Sequence, residues 1–331
     1  MLGRIVGLGT LLWLGAAACG GDDEGGGTAG SGGSSSGTGG SSSGSGGAGG
    51  SVVDPHCAAL IVGTNAGFLV DGTERSFILT LPLDAESAGP FPVVFNWHGL
   101  GDSAQNMSNL FAPLVDTPDF PFIVVTPEDA DHLILGQSMD WDVFTVDAAT
   151  NTEARLFDEI MVCLDQRWGV DPDHVHSVGF SLGSILTDML GVIRGEQLAS
   201  IATYSGAYFS NSANTDTLGM LSSFVSWPAP THGNAYSQVV MHGGTGDSRA
   251  LGPVTIHFDA FAANDQVYLN GLGHDVVLCD HGGGHTAPAA GMMPAQMIQF
   301  FRDHPRGTVD SPYASGLPGD FSSSCAFHGG G

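Results

Sequence analysis

The sequence contains no lysine, and its eight arginines stand against 34 aspartates and glutamates, which gives a formal net charge of −26 at pH 7. Proteins that bind nucleic acid neutralise phosphates with a basic patch, and this composition does not supply one. Nucleic acid and anionic lipid are therefore not expected as partners. A solvated acidic surface is the simplest interpretation of the surplus, with adaptation to salt or acid as the alternative.

Cysteine is also rare, with one residue at position 19 and four after residue 52. Their long spacings and the lack of a C-x-x-C pair argue against a zinc site. An even number of cysteines in an exported domain predicts two disulfides, for which the sequence allows three connectivities. The candidates are Cys57, Cys163, Cys279 and Cys325.

The start of the chain has an apolar run that is too short for a membrane-spanning helix. Arg4 precedes the apolar residues 5–14, and three alanines stand directly before Cys19. This pattern predicts a secretory signal, and small residues ending at a cysteine resemble a bacterial lipoprotein signal, in which that cysteine is lipidated. An ordinary signal peptide with an incidental cysteine is the alternative. Because Gly20 follows, we expect the outer membrane or cell surface as the location.

Residues 20–51 consist almost entirely of glycine, serine, threonine and alanine after a short acidic cluster. Such a segment cannot bury a core and predicts a flexible tether with a root-mean-square span of roughly 30 Å. The expected organisation is a signal peptide over residues 1–18, a lipidated cysteine and linker over 19–51, and one large domain over 52–331.

Short apolar runs alternate with helical patterns in the large domain. Buried strands are predicted over residues 77–81, 93–97, 122–126, 174–180, 201–205, 238–242 and 276–279, and helices over 153–167, 184–194 and 294–303. This alternation predicts an α/β fold with a mostly parallel sheet and helices on both faces. Functional side chains are expected where the strands end.

One such end carries the motif Gly-Phe-Ser-Leu-Gly over residues 179–183, between a predicted strand and a predicted helix. That context is typical of a nucleophile elbow, in which a sharp turn exposes the serine hydroxyl. Two other G-x-S-x-G matches, centred on Ser35 and Ser42, lie in the glycine and serine tract without a strand or helix. Ser181 is therefore the candidate nucleophile, and an ordinary turn or helix cap is the alternative.

A serine nucleophile needs a histidine base and a carboxylate, which follow in the order serine, acid, histidine in α/β-hydrolases. Asp247 and His285 stand in this order, each in a loop after a predicted strand. The alternatives are Asp259, Asp265 and Asp275 for the acid, and His281, His274 and His328 for the base. Glycines separate His281 from His285, so no helix aligns them for a metal, and no metal or cofactor is predicted.

An oxyanion intermediate also needs two backbone N–H donors. The amide after the nucleophile, that of Leu182, is one candidate, and the glycine-rich loop over residues 98–101 offers that of Leu100 as the second. A plain glycine turn is the alternative for this loop.

Four segments together resemble the secreted esterase family that contains poly(3-hydroxybutyrate) depolymerases and feruloyl or acetylxylan esterases. They are VVFNWHGLGDS over residues 93–103, the GFSLG elbow with VDPDHV before it, HGGTGD over 242–247 and GGGHT over 282–286. The resemblance implies an α/β-hydrolase fold with Ser181, Asp247 and His285 as nucleophile, acid and base. Ala287 is a departure, because the family often has tryptophan between the threonine and proline at this point.

The expected function is that of an extracytoplasmic, lipid-tethered serine carboxylester hydrolase that forms an acyl-enzyme. Its expected substrates are feruloyl or acetyl esters of polysaccharides, or hydroxyalkanoate oligomers. Trp141 and Trp227 are candidates for stacking on the substrate, with core packing as their alternative role. A serine peptidase of the same fold and a non-catalytic surface binding protein are the alternative functions.

Overall fold

The computed structural model describes residues 53–134, 137–230, 233–251, 254–287 and 294–330. The predicted signal peptide, Cys19 and the linker lie outside these ranges. In chain order the strands are β1 (Gly63–Val70), β2 (Thr73–Thr80), β3 (Phe91–Trp97), β4 (Ile123–Pro127), β5 (His132–Ile134), β6 (Gln137–Met139), β7 (Val170–Phe180), β8 (Ser200–Tyr204), β9 (Ser237–His242), β10 (Ser248–Leu251), β11 (Val254–His257), β12 (Val276–Asp280) and β13 (Cys325–His328).

The central sheet has the strand order β1-β2-β4-β3-β7-β8-β9-β12-β13. The six strands from β4 to β12 in this order pair in parallel, whereas β1 and β2 at one end and β13 at the other are antiparallel to their neighbours. Two small antiparallel ribbons, β5 with β6 and β10 with β11, lie outside the sheet. The carboxyl ends of β3, β7, β8, β9 and β12 therefore meet at one edge.

Seven α-helices are formed by the described residues. They are α1 (Pro55–Ala58), α2 (Ala104–Phe111), α3 (Thr152–Trp168), α4 (Leu182–Arg194), α5 (Ser212–Thr215), α6 (Phe258–Gly271) and α7 (Pro294–Asp303). Asn151 caps α3 by accepting from the amides of Glu153 and Ala154, and Gly169, at φ 74°, follows its last residue. None of these helices is long and apolar enough to cross a bilayer.

Two apolar cores cover the two faces of the sheet. Alternate residues of β3 enter different cores: Phe95 packs with Phe157 of α3, whereas Val94 packs in the core that contains Phe111 of α2 and Phe301 of α7. Because both faces are covered, β3 and β4 are buried along their whole length. The predicted α/β fold with helices on both faces is confirmed.

Both predicted disulfides are present. Cys57 pairs with Cys163 and joins α1 to α3 across 106 positions of sequence. Cys279 pairs with Cys325 and joins β12 to β13, where the two cysteines face each other in register. Disulfides are typical of chains that fold outside the reducing cytoplasm.

Candidate active site

The chain turns sharply between β7 and α4, and Ser181 lies at this turn. Its backbone has φ 54° and ψ −118°, which L-residues adopt only where the surroundings enforce it. The amide of Ser181 donates to the carbonyl of Tyr204 on β8 at 2.8 Å, and the hydroxyl of Ser184 is shared between the carbonyls of Gly179 and Tyr204. The turn is thereby fixed to the neighbouring strand.

The two glycines of the motif allow close backbone approaches on either side of the turn. A Cβ atom on Gly179 would collide with the backbone of Gly183, and one on Gly183 would collide with the backbone of Trp97 and His98. Both positions therefore exclude larger residues. This packing brings the start of α4 against the end of β3, and the loop after β3 lies next to Ser181.

Ser181, His285 and Asp247 form one chain of hydrogen-bond contacts. The Nε2 atom of His285 lies 2.9 Å from the Oγ atom of Ser181, and its Nδ1 atom lies 2.6 Å from Oδ1 of Asp247. The structure thus brings together the three residues that the sequence predicted, each from a loop at the carboxyl end of a different strand. These distances permit proton transfer from the serine to the imidazole.

The second carboxylate oxygen of Asp247 is held as firmly as the first. It accepts from the hydroxyl of Ser205 and from the amide of Gly243, both at 2.8 Å. Burial raises the pKa of Asp247, but the hydrogen bonds from His285, Gly243 and Ser205 outweigh this effect and leave the pKa below its ordinary value. Ser205 was not predicted from the sequence, although its position directly after β8 was a usable signal.

Two phenylalanine rings flank the imidazole of His285. Phe258 stacks on it with ring centroids 4.9 Å apart, and Phe180 lies tilted against it at 5.0 Å. The alternative base His281 instead accepts from the amide of Gly283 at 3.1 Å and makes no described contact with Ser181. Asp247 is the carboxylate at hydrogen-bond distance from His285 among the described residues.

The loop after β3 is held by hydrogen bonds to the segment that follows β6. The amide of Gly101 donates to Asp140 at 2.6 Å, and the indole N–H of Trp141 donates to the carbonyl of His98 at 2.9 Å. Burial raises the pKa of Asp140, while the bond from Gly101 favours its charged form. The amides of Leu100 and Leu182 donate to no other described residue, so both are free for a ligand.

Comparisons with known proteins agree with this fold. The Phospholipase/Carboxylesterase family model matches residues 86–222. Feruloyl esterase D of Neurospora crassa is 26% identical over 150 residues, which are 44% of this chain and 49% of the relative. The chain thus matches about half the length of this curated relative.

Solved structures match over a larger share. A crystal structure described as native sOPH has a TM-score of 0.62 at 18% identity and covers 81% of this chain and 94% of its own. A ferulic acid esterase has a TM-score of 0.50 at 17% identity and covers 71% and 94%, respectively. The chain has the α/β-hydrolase fold. The resemblance to the feruloyl esterase group, drawn above from four motifs, is confirmed.

A cavity of about 620 Å³ opens beside Ser181 and His285. Its wall is mostly aliphatic and aromatic, and the charged or titratable side chains on it are Asp102, Arg249 and His285. The apolar wall residues are Leu100, Met139, Val143, Phe144, Phe180, Leu182, Ile185, Phe209, Leu218, Leu221, Phe224, Val225, Ala250, Ile256 and Phe258.

The expected stacking role of the two tryptophans is wrong. Trp141 is fully buried and Trp227 nearly so, and neither lines the cavity. Each indole N–H is used internally: Trp141 donates to the carbonyl of His98 and Trp227 donates to the carbonyl of Val143 at 2.9 Å. A buried tryptophan usually has such a partner, and here both partners are backbone carbonyls. The alternative, core packing, is correct.

Buried carboxylates hold the segment that leads into the cavity wall. Asp265 accepts from the amide of Tyr208 and from the side chains of Asn211 and Asn214, and Asp188 accepts from the amide of Ala207. Burial raises the pKa of Asp265 to about 7, although these hydrogen bonds lower it. Burial also raises the pKa of Asp188. Phe209, within the same segment, contributes to the wall.

The imidazole of His98, in the loop after β3, is buried and lies close to two carboxylates. Its Nε2 atom lies 3.4 Å from Glu128 and 3.8 Å from Asp129. These three side chains carry atoms of the kinds that bind divalent ions and lie close enough together to do so. The expectation that the protein needs no metal stays a prediction.

Proposed function

We propose that this protein is a serine carboxylester hydrolase that acts through an acyl-enzyme. The observation that carries the proposal is the hydrogen-bonded chain from Asp247 through His285 to Ser181, at the wall of an apolar cavity. A buried carboxylate with a lowered pKa suits the role of keeping the imidazole in one tautomer and stabilising its charged form.

In the proposed reaction, the Oγ atom of Ser181 attacks the ester carbonyl carbon while its proton moves to Nε2 of His285. The carbonyl oxygen becomes an oxyanion and accepts from the free amides of Leu182 and Leu100. When the tetrahedral intermediate collapses, the bond to the alcohol oxygen breaks and His285 gives its proton to the leaving alcohol. Water then repeats these steps on the acyl-serine, releasing the acid and restoring Ser181.

The cavity supports a bulky acyl or aromatic group rather than a small one. Its volume of about 620 Å³ is in the range of small-molecule sites and is much larger than an acetyl group. Aromatic walls such as Phe209 and Phe224 suit a phenolic ring. Among the expected substrates, feruloyl esters and hydroxyalkanoate oligomers are therefore favoured over acetylated polysaccharides.

The direct test is hydrolysis of p-nitrophenyl butyrate by the wild type and by Ser181→Ala. We expect Ser181-dependent release of p-nitrophenol, with a burst if acylation outpaces deacylation. The absence of such release with any acyl chain would favour a binding protein that kept the fold. Methyl ferulate, 3-hydroxybutyrate oligomers, acetylated xylan and a peptide p-nitroanilide then separate the substrate classes, and preferential cleavage of the anilide would favour a peptidase.

The proposed location is extracytoplasmic, with the hydrolase tethered to a membrane by a lipidated Cys19. The two disulfides of the catalytic domain support export. The anchor itself rests on the sequence pattern before Cys19. Mass spectrometry of the protein from its native membrane should find a diacylglyceryl cysteine at the mature N-terminus, and a mature chain that begins elsewhere would contradict the anchor.

A further inference from the structure

Arg249 differs from the other arginines of the described chain in its lack of an internal partner. It makes no ion pair and no side-chain hydrogen bond with any residue that the structure describes. The others all bind carboxylates or carbonyls: Arg75 to Glu153, Arg155 to Asp71, Arg167 to Ala58, Arg194 to Asp158, Arg302 to Asp303 and Arg306 to Asp173. An arginine without an acidic partner is unexpected in a chain with 34 acidic residues.

The hairpin of β10 and β11 directs Arg249 to the cavity. Arg249 on β10 lies directly opposite Ile256 on β11, and opposite residues of an antiparallel pair share one face. Ile256 is 5% exposed and lines the cavity, and Arg249 lines it too. Arg249 therefore contributes to the cavity wall from the same face of the hairpin as Ile256.

Arg249 also lies on the histidine side of the cavity. The hairpin begins directly after Asp247 and ends directly before Phe258, and both of these residues contact His285. The amide of Phe258 donates to the carbonyl of Asp247 at 2.9 Å and closes the base of the hairpin. Since the histidine of a triad gives its proton to the leaving group, the alcohol portion of the ester lies on this side.

The other exposed charge on the wall lies across the site. Asp102 follows β3, whereas Arg249 follows β9, and these strands stand on opposite sides of β7, which carries Ser181. The carboxylate of Asp102 already accepts from the amide of Ser103 and the side chain of Asn106. The mouth of the cavity thus has a satisfied negative group on one side and an unpaired positive group on the other.

We propose that Arg249 forms an anion subsite that binds a carboxylate on the alcohol portion of the substrate. The natural substrate is then an ester of a hydroxycarboxylic acid, with an apolar acyl group in the cavity and the anionic leaving group at Arg249. A guanidinium presents two parallel donors that match a carboxylate. This proposal rests on the proposed ester hydrolysis at Ser181.

The test compares two esters that differ by one charge: 4-(butyryloxy)benzoic acid and its methyl ester. Arg249→Gln should lower kcat/KM for the acid about tenfold, the lower range for a charge-assisted bond at an exposed site, and should change it less than about twofold for the methyl ester. Arg249→Lys should retain part of the preference. Arg306→Gln, which removes an exposed arginine away from the cavity, is the matched control and should alter neither substrate.

Equal losses on both esters, or no change on either, would overturn the anion subsite while leaving ester hydrolysis intact. No Ser181-dependent turnover of either ester would instead refute the proposed function. A binding measurement tests the subsite without turnover. Calorimetry compares the Ser181→Ala variant with the double variant that also carries Arg249→Gln, and the double variant should bind 4-(butyryloxy)benzoate with a Kd about tenfold higher. Equal affinity in the two variants would refute the subsite.

Discussion

Replacing Asp247 by asparagine should abolish most turnover because the surroundings dictate which way the new amide points. The backbone amide of Gly243 is a fixed donor to Oδ2 of Asp247, and the hydroxyl of Ser205 also donates there. An asparagine NH₂ at that position would face these donors and leave a buried group unsatisfied, at a cost of about 1–3 kcal/mol. The amide oxygen should therefore occupy the Oδ2 position, and the NH₂ group should occupy the Oδ1 position.

In that orientation the NH₂ group faces Nδ1 of His285, 2.6 Å away in the native structure. Nδ1 must then accept, so the ring proton moves to Nε2 and points at Ser181, which loses its base. We expect kcat for p-nitrophenyl butyrate to fall about 10⁴-fold, equivalent to about 5.5 kcal/mol of barrier, the scale known for this change in a serine protease triad. Thermal unfolding should change little, because the asparagine keeps the shape of the site.

Asp275→Asn is the matched control, since Asp275 was an alternative acid and its carboxylate accepts from the amides of Ser311 and Gly330. It should keep activity near that of the wild type. The reasoning fails if Asp247→Asn retains more than about a tenth of kcat, or if Asp275→Asn loses activity in a folded protein.

Three further predictions concern the base, a buried acid and a disulfide. His285→Ala should lower kcat about 10⁴-fold and add little to Ser181→Ala, whereas His281→Ala should remain active; the opposite result would reassign the base. The pKa of Asp265 in the folded protein, about 7, lies above its ordinary value of 3.8, so its contribution to stability is complete below pH 4 and is lost as pH rises to 7. Urea unfolding should therefore show Asp265→Asn gaining about 3 kcal/mol relative to the wild type between pH 5 and pH 8, and a pH-independent difference would refute the raised pKa. Replacing Cys57 and Cys163 by alanine should lower the free energy of unfolding by up to about 5 kcal/mol, as expected for a closed loop of 106 positions, while the activity of the folded protein persists.

Sequence reasoning predicted the elements whose residues are buried on both sides. Strands β3, β4, β7, β8, β9 and β12 are short apolar runs, and each was found to within a few residues, as were α3, α4 and α7. Strands β1 and β13 were missed because they lie at the edges of the sheet: β1 has three buried residues out of eight, and none of the four residues of β13 is fully buried. Helix α6 was also missed, because its apolar residues recur only weakly at the spacing of three and four residues that is typical of a helix with one buried face.

The meeting of Ser181, Asp247 and His285 could be anticipated because parallel strands bring their carboxyl ends to one edge. The composition of the cavity wall could not be predicted from the sequence. Its residues come from segments far apart in sequence, and an aromatic side chain in a loop carries no sign of whether it faces a ligand or the core. Trp141 shows this limit: its neighbour Asp140 holds Gly101, so the pair supports the loop after β3 from inside.

The disulfide between Cys279 and Cys325 lies one residue before the end of β12, the strand that leads into the loop carrying His285. Strand β13 pairs with β12 over four positions, and the covalent bond adds a fixed link at one of them. Under the proposed export, this bond forms only after the chain has left the reducing cytoplasm. The edge strand beside the loop of His285 is then covalently fixed in the compartment where the proposed hydrolysis takes place.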